Sequence, residues 1–131
     1  MKDKLTEKLD QVFSRFIRLR DAREDGTFQC ISCGRILPLE KAQCGHYFSR
    51  AKMSTRWDEE NCSAECCACN LFRSDHLDGY HKNLVKKIGQ QAFDLLTLRA
   101  HSTKKWSSFE KTALINHYKV EVEKLKKEKG L

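Results

Sequence analysis

Two Cys-x-x-Cys pairs, Cys30-Ile31-Ser32-Cys33 and Cys66-Cys67-Ala68-Cys69, constrain this chain more than any other feature. Together they offer four thiolates, which suits a tetrahedral structural zinc site with every position filled. The chain must therefore fold so that residues 30–33 and 66–69 meet. The 32 residues between Cys33 and Cys66 exceed what a simple zinc ribbon needs. Something else is folded into that gap. It contains Gly45-His46 and Asn61, and Asn70 directly follows the last cysteine.

Seven cysteines would fit a secreted disulfide framework, but the number is odd and residues 1–7 carry no apolar signal region. Metal is favoured over disulfides, and a cytoplasmic location follows as an expectation. No apolar run approaches the roughly 18 to 20 residues that a membrane span requires. Cys67 could stand in for Cys66, although Cys66 with Cys69 has the knuckle spacing. Cys44 and Cys62 read as small core residues. The formal charge of +7, from 25 basic and 18 acidic side chains, suits a polyanionic partner such as DNA. A solvated surface with a modest basic surplus would look the same.

Along the chain, residues 2–23 read as an amphipathic helix, with Leu5, Leu9, Val12, Phe13, Phe16 and Ile17 spaced by three and four. Glu24-Asp25-Gly26 stops it. Residues 38–41 read as a loop or short turn. Residues 44–48 read as a strand carrying His46, residues 54–57 as the returning strand, and Asn61 as the approach to a helix holding Cys66, Cys69 and Asn70. Helices follow over 81–88 and 90–100, broken at Gly89. A last helix is opened by the capping box Ser107 and Glu110, with an apolar stripe of Leu114, Tyr118, Val122 and Leu125 that reads as intramolecular packing ahead of a dimer seam.

The residue types point to phosphodiester hydrolysis. A neutral histidine can take a proton from water, which makes His46 the candidate general base. Zinc held by four cysteines has no open position, so a second, hard cation (magnesium or manganese) is required, held by oxygen. Asn70, fixed by its neighbour Cys69, is the candidate ligand. Asn61 is expected to bond the backbone of the hairpin loop and hold His46 in place. His76 and His81 read as ordinary surface histidines, with extra ligation as the alternative.

The residues Cys30-Ile31-Ser32-Cys33-Gly34, Gly45-His46-Tyr47, Arg56-Trp57-Asp58-Glu59-Glu60-Asn61 and Cys66-x-x-Cys69-Asn70 resemble the NinG (Rap) recombination endonucleases of lambdoid phages. These lie within the HNH, or ββα-metal, nuclease group, and the likeness extends through Tyr80, Ile88-Gly89-Gln90 and Trp106 to Tyr118. The chain is also similar to phage resolvases of the endonuclease VII type. The resemblance implies a zinc-stabilised, magnesium-dependent endonuclease for branched recombination intermediates such as D-loops and Holliday junctions. One departure matters: Gly45 precedes His46, and Gln43 stands where relatives often carry aspartate. Another oxygen must complete the cation site, from Asp58, Asp75 or a backbone carbonyl.

The expectation is an α+β protein: a zinc-stabilised ββα-metal core over residues 28–79, an N-terminal helix over 1–25 and a helical region over 80–131. His46, Asn61 and Asn70 form its catalytic group. Arg50, Lys52, Arg56 and Arg73 are the candidate phosphate contacts. Cutting two strands makes a homodimer chemically attractive. The rival readings are a non-catalytic zinc-dependent DNA-binding module and, further off, a zinc-dependent protein-interaction module.

Overall fold

A computed structural model describes residues 3–73 and 75–131. Helix α1 (Lys4–Asp21) begins at Asp3, whose carboxylate accepts the Leu5 N–H at 3.0 Å and so satisfies an open amide of the first turn. Lys2, where the sequence reading starts this helix, lies outside the described residues. Leu9, Phe13, Phe16 and Ile17 form its buried stripe, as their spacing dictates. Helix α4 (Ser108–Lys129) covers that stripe with Ile115, Tyr118 and Val122. The two helices run parallel. Lys111 meets Asp3 at 2.6 Å at one end, and at the other Lys129 Nζ donates to the carbonyls of Leu19, Arg20 and Ala22 at 2.8, 2.8 and 2.7 Å. A cation at this end of α1 bonds helix-terminal carbonyls and suits the negative end of the helix dipole. The capping box formed by Ser107 and Glu110 is present with both of its bonds.

Between these helices the chain makes two antiparallel hairpins. Strands β1 (Thr27–Gln29) and β2 (Ile36–Pro38) frame the first cysteine pair. Strands β3 (Ala42–His46) and β4 (Cys62–Cys66) pair with Ala42 opposite Cys66 and His46 opposite Cys62. The strand expected over 54–57 does not form. Residues 49–61 instead wind through successive tight turns, with N–H to carbonyl bonds from Lys52 to Ser49, Thr55 to Lys52, Asp58 to Thr55 and Asn61 to Asp58. The returning strand is β4. Cys66 therefore ends a strand and lies in no helix, and Cys69 and Asn70 sit in one widened helical turn, Ala68–Phe72.

Helix α2 (His76–Ile88) starts earlier than the sequence suggests, and Gly89 separates it from α3 (Gln90–Ala100). The β3–β4 hairpin is held between helices. On one face Cys62 joins the α1–α4 core. On the other, Ser63 and Glu65 meet Lys87 and His76 of α2. Gly79 lets α2 approach the first cysteine knuckle closely, because a Cβ there would overlap the backbone carbonyl of Ser32. Tyr80, fully buried, donates to the Gly45 carbonyl at 2.7 Å. Among the described residues, no helix is long and apolar enough to cross a membrane.

Candidate functional site

The two hairpins bring the sulfurs of Cys30, Cys33, Cys66 and Cys69 within 4.8 Å of one another. The backbone N–H of Cys66 donates to Cys30 Sγ at 3.3 Å, and Ile31 N–H bonds the Ala64 carbonyl at 3.1 Å, stitching the first knuckle to β4. Burial pushes the Cys30 and Cys69 thiols up, and the Cys66 and Cys33 sulfurs beside Cys69 add to the effect. Four thiolates this close repel one another unless a cation binds them. The cluster could hold a structural metal such as zinc. Cys67 is exposed and lies outside it.

Beside this cluster a cleft of 420 Å³ opens along β3, lined by Asp10, Phe13, Ser14, Cys44, His46, Arg50, Asn70, Leu71 and His76. His46 and Asn70, far apart in sequence, thus share one cavity. The Nε2 of His46 lies 2.8 Å from the Arg56 carbonyl oxygen. A carbonyl can only accept, so Nε2 carries the hydrogen and Nδ1 keeps its lone pair. Burial holds the imidazole below the ordinary histidine range against the pull of that carbonyl, with Arg50 lowering it further. His46 is therefore neutral at neutral pH, as a proton acceptor must be.

The Arg56 carbonyl is itself held. Asp10 of α1 accepts from Arg56 Nε at 3.0 Å, from Arg56 Nη2 at 2.5 Å and from Trp57 Nε1 at 2.9 Å. Asn61 is fully buried. Its Oδ1 accepts the Phe48 N–H at 2.8 Å, and its Nδ2 donates to the carbonyls of Phe48 and Thr55 at 3.0 Å each. It pins the chain that follows His46 and does not line the cleft. Asn70 Nδ2 donates to Gln43 Oε1 at 2.7 Å, which leaves Asn70 Oδ1 for a ligand.

Of the other oxygen donors read from the sequence, neither Asp58 nor Asp75 lines the cleft. Asp58 is engaged by Arg99 at 2.8 Å and the Glu60 N–H at 3.0 Å, and Asp75 pairs with Arg73 on the surface at 3.2 Å. Among the basic residues Arg50 faces the cleft and Lys52 is exposed, while Arg56 is committed to Asp10 and Arg73 to Asp75. His81 is exposed and packs edge-on against Phe93. His76 differs: it is partly buried, lines the cleft and bonds Glu65. Asp10 and Glu65 are the groups that sequence reasoning left out; His76, read as a surface histidine with ligation as the alternative, does line the cleft. A second grouping, Cys44, His46 and Cys62, also has ligand atoms within 4.8 Å of one another.

The family model described as "Bacteriophage Lambda NinG protein" matches residues 1–128. The chain is similar to Protein ninG of Escherichia phage 933W, at 32% identity over 117 residues, covering 88% of this chain and 55% of that protein. Protein ninG of Escherichia phage lambda and that of Salmonella phage P22 are each 31% identical over 117 residues, 88% of this chain and 54% and 55% of theirs. The chain thus spans about half the length of the curated relatives it matches. No solved structure matches it. With the match running almost end to end, the chain belongs to the NinG family.

Proposed function

We propose that this chain is a zinc-stabilised, divalent-cation-dependent endonuclease of the HNH (ββα-metal) type that cuts branched DNA. The observation that carries the reading is the placement of His46: its Nε2 donates to the Arg56 carbonyl, and the ring shares a cleft with Asn70, where burial lowers its pKa. Zinc on Cys30, Cys33, Cys66 and Cys69 would hold Asn70 in place through its neighbour. His46 Nδ1 takes the proton of the water that attacks phosphorus, in line with the departing 3′ oxygen. Asn70 Oδ1 is the donor available to a catalytic cation, whose charge would stabilise the phosphate and that leaving oxygen. Asp10 and Asn61 are positioning residues, acting through the Arg56 carbonyl and the chain after His46. Arg50 faces the cleft and suits a flanking phosphate.

Branch selectivity finds support in the turn that carries Asn70, whose Leu71 lines the cleft. Leu71 and Phe72, directly after Asn70, are 61% and 78% exposed. An exposed aromatic there suits stacking on a base left unpaired at a branch point. The test uses end-labelled four-way junction, D-loop and linear duplex. The reading predicts cation-dependent nicks at the branch that DNA ligase reseals, as 5′-phosphate and 3′-hydroxyl ends require. Tight junction binding without nicks would overturn it.

The Cys44, His46 and Cys62 grouping favours a second reading, a DNA-binding module with two zinc ions in which His46 is a ligand. Zinc stoichiometry separates the two, at one ion per chain for the nuclease and two for the module.

A further inference from the structure

His76 sits at the first turn of α2 and lines the cleft, and its Nδ1 lies 2.8 Å from Glu65 Oε2. The nitrogen left for a ligand is Nε2. We propose that His76 Nε2 and Asn70 Oδ1 together hold the catalytic cation, that Glu65 orients the imidazole, and that the resident ion is a transition metal of the Mn2+ class in preference to Mg2+. This rests on the hydrolytic reading of the cleft and deepens it.

Glu65 is fully buried on the face of β4 toward α2, and among the described residues no lysine or arginine pairs with it. Its Oε2 is taken by the Ser32 hydroxyl and by His76, while Oε1 has no hydrogen-bond partner among the described residues. The Glu65–His76 contact fixes the imidazole with its far nitrogen, Nε2, left to the cleft side of the residue. Carboxylate–histidine–metal is the usual way a protein fixes a ligand tautomer and raises its basicity.

Gly45 is part of the construction. A Cβ there would lie 2.9 Å from Glu65 Cβ and closer still to Oε1. The absence of a side chain before His46 thus makes room for a carboxylate from the opposite strand. Gln43 accepts from Asn70 Nδ2, which turns the amide so that its oxygen has no hydrogen-bond partner among the described residues. One imidazole nitrogen, one amide oxygen and water in the remaining positions suit Mn2+, Co2+ or Ni2+ better than Mg2+, which takes oxygen ligands.

The experiment titrates Mn2+ and Mg2+ into the zinc-loaded full chain and records the electron spin-echo spectrum of the bound Mn2+. The wild type is expected to bind Mn2+ at least about tenfold more tightly than Mg2+ and to show nitrogen-14 coupling from one imidazole. His76→Gln should lose that coupling, and His46→Ala should keep it. Glu65→Gln, scored only where it retains zinc, should weaken Mn2+ binding by about 10–100-fold. No Mn2+ binding by the wild type, coupling unchanged in His76→Gln, or coupling lost in His46→Ala would each overturn the site. Cleavage that persists in His76→Gln with Mg2+ would also sink it while leaving the hydrolytic reading intact. Mn2+ bound through His76 without any DNA cleavage would uphold the site and sink that reading.

Discussion

At the residue scale, the site is a relay of hydrogen bonds. Asp10 holds Arg56 and Trp57, the Arg56 carbonyl holds His46 Nε2, and Tyr80 holds the Gly45 carbonyl one residue before it. Burial lowers the folded-state pKa of His46 from the ordinary 6.5. A general base works in its neutral form, so its contribution is lost only as pH falls through that lowered value. The rate of junction cleavage should therefore rise with pH to a plateau, with its acid-side midpoint below 6.5. A midpoint above 7 would mean that some other group is the base. That His46 and Asn70 meet was legible in the sequence, because His46 lies between the two cysteine pairs and Asn70 directly follows Cys69. Asp10 and Glu65 were not, because Asp10 enters the cleft from α1 and Glu65 meets His76 from β4, long-range contacts that leave no local spacing.

At the element scale, the helices were easier to read than the strands. Periodicity marks α1, Ser107 and Glu110 mark the start of α4, and Gly89 marks the break between α2 and α3. Replacing Ser107 by alanine should cost about 1 kcal/mol in urea denaturation, since it removes the N-cap acceptor of α4. Strand β4 was missed because all five of its residues are buried, so it has no alternation to betray it. One face packs on α1 and the other on α2. Residues 54–57 look β-like on paper but are consumed by turns that bring Asn61 under the Phe48 backbone. The turn that carries Asn70 also carries Phe72 outward. Phe72→Ala should weaken binding to a four-way junction by about 1–3 kcal/mol while leaving duplex binding unchanged, in a fluorescence anisotropy titration. Equal losses on both substrates would count against stacking at the branch.

At the scale of the whole molecule, two structures hold the cleft: the α1–α4 pair on one side and the cysteine cluster with α2 on the other. The apolar stripe of α4 is used within the chain, with Phe13 and Phe16 rings 5.0 and 4.9 Å from that of Tyr118. Residues 27–72 have little regular structure of their own, and their small core is built around Cys30, Cys66 and Cys69. Metal should therefore be part of the fold. Cys66→Ser is expected to lose zinc and to melt well below the wild type by circular dichroism; an unchanged melting temperature in the zinc-free variant would contradict this. If His46 is the base of this cleft, its loss must slow the chemical step. The most direct measurement is single-turnover cleavage of a labelled four-way junction by zinc-loaded wild type and His46→Ala, with Mn2+, Mg2+ or EDTA. Cation-dependent cleavage should fall by about 10²–10⁴-fold in the variant, with zinc content and junction affinity unchanged. Equal rates in the two proteins would contradict it.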